Sequence, residues 1–187
     1  MLLDSYLPEY DFNEVHSIAI QAPPEKIFRA LKELTPSELS PVFRFLFAIR
    51  SLPARLMGQD DETFAPSRPL LDQLYENDFV VLAETERELV FGLIGKFWEL
   101  SGGASIHLAN AREFLDFDQP DYAKAAANFI ISENSHGGFS VTTETRIHIP
   151  HPKTRKKFAV YWGIIYPGSA WIRRLWLKAI KRRAERR

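Results

Sequence analysis

Glu14 and His16 share an alternating run with Phe12, Ile18 and Ile20, so all five are expected on one face of a strand. A carboxylate beside an imidazole on an apolar face is a pair that could carry a proton, provided it reaches a substrate within hydrogen-bond distance. The plainer reading of His16 is a core or edge histidine whose hydrogen bonds are satisfied. Arg146 is the third candidate. It lies on the opposite face of its strand from Val141 and Ile147, together with Glu144. If the apolar face looks inward, Arg146 and Glu144 form an exposed ion pair worth little. If the face is inverted, Arg146 offers an internal cation to an acidic ligand.

Other chemistries find little support. The chain has no cysteine, which excludes disulfides, thiolate catalysis and cysteine-held metals. His148 and His151 are three apart, but Pro150 intervenes and no carboxylate stands at a ligand spacing, so no metal is expected. No G-x-S-x-G nucleophile turn is present. Gly92 and Gly95 bracket Leu93 and Ile94 inside a strand pattern, where glycine points to a bulge or close packing rather than a phosphate loop. No zinc finger or RNA-binding aromatic motif occurs, so no nucleic acid and no cofactor are expected.

The elements that must position these residues read as follows. Tyr10–Gln21 is a strand. Pro23 and Pro24 end it, and Pro24 can open a helix through EKIFRALKEL, residues 25–34. A second helical stretch, residues 37–57, is interrupted by Pro41 and Pro53, and a polar loop follows at 58–69. A helical turn at Leu70–Leu74 leads to a hairpin of Phe79–Glu84 and Glu88–Gly95 around Thr85–Arg87. Phe97–Leu100 continues or restarts a strand. Residues 105–118 hold one or two more strands, although ANAREFL also reads as helix. Lys124–Glu133 and Phe139–Ile149 flank NSHGG, a hairpin signal.

From Pro152 onward the pattern is helical. Phe158, Tyr161, Trp162 and Ile165 make one apolar stripe, and Ile172, Leu175, Trp176, Ala179 and Ile180 make another. Pro167 lies between them and predicts a kink or a break. The order of strand, helices, a run of strands and one long helix is α+β, with an antiparallel sheet whose buried face only the last helix can cover. The 187 residues fit one domain, residues 1–187.

Aromatic residues make up 13% of the chain, enough to wall a pocket as well as a core. Phe91, Trp98, Phe129, Trp162 and Tyr166 fall on faces that could line such a pocket. The formal charge sums to zero but is divided. Residues 1–150 carry 12 Lys and Arg against 23 Asp and Glu, whereas residues 151–187 carry 12 against Glu185 alone. The basic tail either packs on its own acidic body or meets an anionic partner such as a lipid surface. In the second case Arg173, Arg174, Lys178, Lys181 and Arg182 are the expected contacts. The first residues lack a basic start followed by an apolar run, and no stretch of about 18 apolar residues occurs. The expected compartment is therefore the cytoplasm.

The segments APPEKIFRAL (22–31), GLIGKFW (92–98) and TETRIHI (143–149) followed by FAVYWGIIYPGSAWIRR (158–174) together resemble the START-like superfamily, also called SRPBCC. That group includes polyketide cyclases, lipid-transfer domains and relatives of the birch-pollen allergen. The resemblance implies a helix-grip fold: a seven-stranded curved antiparallel sheet around the C-terminal helix, with two short helices closing one end. It implies an internal cavity for a small apolar or amphipathic molecule. It transfers no reaction, because members share no catalytic set and fold is a weak warrant for activity. Three functions follow as expectations: a binding module for such a molecule, a cavity enzyme of the polyketide cyclase or dehydratase type, and transient contact with anionic membranes.

Overall fold

The computed structural model describes residues 1–39, 64–99, 105–135 and 137–186. Most of the helical stretch expected at 37–57, the first half of the loop expected at 58–69, and the glycine turn after Leu100 lie outside them. Strand β1 (Phe12–Ile20) is preceded by a one-turn helix α1 (Leu3–Tyr6) and followed by α2 (Pro24–Glu33). Pro24 stands in the first turn of α2, where a missing N–H is harmless. A 3-10 turn (Pro36–Glu38) and α3 (Leu70–Glu76) lead to β2 (Val80–Glu84) and β3 (Glu88–Gly95). The short β4 (Ser105–Ile106), α4 (Ala111–Asp116), β5 (Ala123–Glu133), β6 (Phe139–His148) and the long α5 (Pro152–Glu185) complete the order.

The strands form one antiparallel sheet in the order β1-β6-β5-β3-β2, with β4 paired to β3. The described residues thus hold six strands where seven were expected. One local reading is corrected, and of the two alternatives for ANAREFL the helical one forms. Phe97 and Trp98 form a turn, closed by the Glu99 N–H on the Lys96 carbonyl, rather than more strand. ANAREFL forms helix α4, because Asn110 caps it by accepting from the Arg112 and Glu113 N–H groups.

The sheet is covered on both faces, which the alternation did not reveal. On the front face α5 lies across the strands. One end of α5 packs Phe158 and Trp162 against Phe12, Ile147 and Trp98. The other end packs Trp176 and Ile180 with Phe129, Ile20, Leu89 and the buried side of α2. Each fully buried ring or aliphatic side chain contributes about 1.5–3 kcal/mol. On the back face Leu3 and Leu7 beside α1 and Phe114 of α4 cover Val80, Leu82, Val90 and Ile94. Gly92 is required there: a Cβ would sit 2.8 Å from Phe114 Cε2 and 2.9 Å from Leu82 Cδ1.

Helix α5 runs unbroken through Pro167. Proline removes one backbone hydrogen bond, but both neighbouring stripes are anchored in separate clusters, and that packing holds the helix on either side. At about 1.5 Å per residue, its 34 residues span roughly 50 Å.

Candidate functional site

Register across the front face explains how the candidate residues meet. Phe12, Ile147, Ala125 and Leu93 form one row across four strands. Glu14, Thr145, Ala127 and Phe91 form the next, and His16, Thr143, Phe129 and Leu89 the third. Glu14 and His16 thus enter the front face between the two apolar clusters.

Glu14 is almost fully buried and its carboxylate is held from two sides. Oε1 lies 2.6 Å from His16 Nε2, and Oε2 accepts a 2.9 Å hydrogen bond from the Ser169 hydroxyl of α5. With the carboxylate ionised, Nε2 carries the hydrogen, and in the neutral imidazole Nδ1 then keeps its lone pair. Nδ1 has no partner among the described residues. Beside His16, Thr143 Oγ1 is buried and also lacks a partner. An unsatisfied buried hydroxyl is costly and is rare in folded proteins.

The surroundings are small. Ala125, Ala127, Thr143 and Thr145 occupy neighbouring front-face positions on β5 and β6. Leu93, Ala125 and Thr145 stay half-buried although they lie on inner strands. A residue on an inner strand, on the helix-covered face, keeps solvent contact only where the helix does not seat on it. Solvent therefore reaches part of the front face at Leu93, Ala125 and Thr145, the last of which pairs with Glu14 across β1 and β6.

The order of contacts decides what the group can do. In a hydrolase triad the imidazole stands between the hydroxyl and the carboxylate. Here the carboxylate stands between Ser169 and His16, so Ser169 is not activated as a nucleophile. The arrangement can accept or donate hydrogen bonds at Nδ1 and at the Thr143 hydroxyl, and can move a proton at Nδ1.

Arg146 belongs elsewhere: it pairs with Glu144 on the face opposite Val141 and Ile147, as the inward-facing reading has it, but that face is covered and the pair is not exposed. It is buried on the back face, 2.7 Å from Glu144 Oε1 and 2.8 Å from Asp4 Oδ1, and it donates to the Leu7 carbonyl at 3.1 Å. Its guanidinium also lies over the Tyr10 ring. Asn13 donates to the same Glu144 oxygen, while Asn128 and the Leu2 N–H donate to the two oxygens of the buried Glu88. This network fastens the α1 segment to the back of the sheet. Arg146 itself is buried, and it lies on the sheet face opposite His16, because a second layer that the alternation does not show covers that face.

The five aromatic residues expected as walls do not come together. Phe91 and Phe129 are fully buried and stacked on each other beside Trp176. Trp98 and Trp162 pack on Phe158 at the other end, and Tyr166 is exposed beside Trp162. Four of them serve the two clusters that flank the polar group. Ser169 and Thr143 had no distinguishing signal in the sequence. A serine after Pro-Gly and a threonine in an alternating strand are ordinary residues until the fold brings them to Glu14 and His16.

Among the described residues no three His, Cys, Asp or Glu side chains gather as metal ligands. No family model and no curated protein matches the chain. Solved structures similar to it include protein MLL2253 from Mesorhizobium loti, 17% identical over 92% of this chain and 96% of that one, with a TM-score of 0.41. Another is TTHA0849 from Thermus thermophilus, 10% identical over 92% and 97%, with a TM-score of 0.30.

Proposed function

We propose that the chain is a START-like, helix-grip protein that binds a small amphipathic molecule between the front face of its sheet and helix α5. The apolar body of the molecule lies along Leu93, Ala125 and Ala127, and its polar end meets His16 Nδ1 and the Thr143 hydroxyl. The single observation that carries this reading is the buried, unpartnered Thr143 Oγ1 beside a carboxylate–imidazole pair with a free nitrogen. Pockets for small molecules combine apolar walls with a few directed polar groups. The antiparallel sheet, the α2 entry at Pro23 and Pro24, and the long final helix support the fold assignment.

Native mass spectrometry after gentle purification tests it. A co-purifying small molecule is expected, and Thr143→Val should release it or weaken its rebinding about tenfold, the equivalent of one hydrogen bond to a polar ligand group. Absence of any such molecule, together with no thermal shift across a panel of fatty acids and polyketide-like aromatics, would overturn the reading.

A second reading rests on His16 Nδ1. With Glu14 fixing the other nitrogen, His16 is oriented as a general base, and the protein then turns over its guest by proton transfer, as a polyketide cyclase or dehydratase does. His16→Gln would lower that turnover at least about 100-fold while leaving binding within a fewfold. Equal turnover by the variant excludes it.

A further inference from the structure

The outer side of α5 carries a feature that ligand binding does not use. Val160, Ile164, Pro167 and Trp171 recur at spacings of four, three and four, which places them on one side of the helix. Val160 is 68% exposed, Ile164 75% and Trp171 50%. They form an apolar ridge roughly 16 Å long. The same side continues at both ends in cations: Lys153, Lys156 and Lys157 before the ridge, Arg174 and Lys178 after it. All five are exposed, and none has an ion pair or hydrogen bond among the described residues.

Among the described residues the other cations of this tail are held by the chain itself. Arg155 pairs with Asp11, Lys181 donates to the Ala19 carbonyl, Arg182 donates to the Glu38 carbonyl, and Arg183 pairs with Glu33 and Glu38. Arg173 lies over the Trp176 ring. Of the five cations first expected to meet a lipid surface, Arg174 and Lys178 are left without partners. The division is sharp: cations facing inward complement the acidic body, and those beside the ridge are unmatched.

We infer that this ridge is a docking surface for an anionic lipid membrane. An apolar ridge with a half-exposed tryptophan needs a medium that yields around it, and the interface of a bilayer does so. The cations at both ends reach anionic headgroups while their stems follow the apolar surface. Residues 151–187 contain one acidic side chain, Glu185, and it is engaged by Lys181 and the Gln21 N–H, so α5 itself carries no unpaired carboxylate beside the ridge. No helix of the described residues is long and apolar enough to cross a membrane, so the contact is peripheral. The inference does not depend on the ligand reading, because no ridge residue lines the front face.

Vesicle co-sedimentation decides it. The full chain should bind phosphatidylcholine vesicles containing phosphatidylserine at low salt, dissociate at high salt, and ignore phosphatidylcholine alone. The double variant Ile164→Ser, Trp171→Ser should lose at least tenfold in partitioning. Replacing Lys156, Lys157, Arg174 and Lys178 with Gln should lose about fivefold per cation. All six positions are exposed, and circular dichroism verifies that the fold persists. Absence of binding to the anionic vesicles, or equal binding by both variants, overturns the inference. So does a concentration-dependent dimer in sedimentation velocity that the Ile164, Trp171 variant abolishes, since the ridge would then join two copies.

Discussion

The hydroxyl of Ser169 on α5 donates to Glu14 of β1 at 2.9 Å, across 155 residues of chain. It is a polar fastening between helix and sheet in the interval between two apolar clusters. Removing one hydrogen bond to a charged acceptor costs about 1.5–3 kcal/mol. Ser169→Ala is accordingly expected to lower the urea-unfolding free energy by about that amount. His16→Ala, which strips the other oxygen, should cost at least as much. A loss below about 0.5 kcal/mol in both variants would show that water takes over these contacts freely.

On the back of the sheet, Arg146→Ala should be among the most damaging single changes. It leaves the Glu144 carboxylate on a covered face without its cation and releases Asp4 and the Leu7 carbonyl. Breaking a buried pair by removing one member costs about 3–5 kcal/mol. Amide exchange should locate the effect: Leu3–Leu7 should lose protection first. Uniform loss across the sheet would contradict a local fastening role.

Gly92→Ala tests the packing of that same face. The added methyl would stand within 3.0 Å of Phe114 and Leu82, and Phe114 is fully buried. Overpacking of this kind costs about 1–3 kcal/mol. Thermal unfolding should show the loss, and Phe114→Leu should recover part of it in the double variant by making room.

Acid should weaken the junction between the chain's tail and its first helices. Burial pushes the Glu38 carboxyl up, but the Thr35 hydrogen bonds and the Arg183 guanidinium outweigh it and hold it below the ordinary 4.5. The folded state therefore binds this proton less readily than the unfolded chain does. Its contribution is complete above pH 4.5 and drains away as the pH falls through the lower folded value. Glu38→Gln should be less stable than the parent at pH 7, and the two should converge in acid. A constant difference across the range would exclude the linkage.

At the alkaline end Tyr75 gives the opposite dependence. Burial, reinforced by Glu84 and Asp72, raises its phenol to about 12. The unfolded chain ionises near 10 while the folded one does not, so stability is present below pH 10 and lost as the pH rises toward 12. Ultraviolet titration of the phenolates should show one late group that Tyr75→Phe removes.

How much of this could be read beforehand follows from the length of each signal. The β2–β3 and β5–β6 hairpins, α2 and α5 carry sustained periods, and they form at those places. Helix α1 is four residues long, too short for any period, so the sequence pattern carries no sign of the layer that covers Arg146. With one face of the sheet taken as open, a polar residue on that face could only be counted as exposed. The apolar run past the glycine that ends β3 suggests more strand at Trp98, but the chain turns at Lys96–Glu99. Glu14 and His16 stood out because polar residues interrupt an apolar face. Thr143 and Ser169 did not, because small hydroxyl residues are common in strands and helices alike. Their significance is long-range and exists only in the folded register.

The pairing of β1 with β6, and of the α1 segment with Arg146, has a kinetic consequence. A growing chain emerging from the ribosome presents Leu3–Ile20 long before residues 139–148 exist to receive them. Such distant closures make folding slow. Until β6 arrives, the hydrogen-bonding edge of β1 that it fills stays without its partner, so this closure comes late in folding.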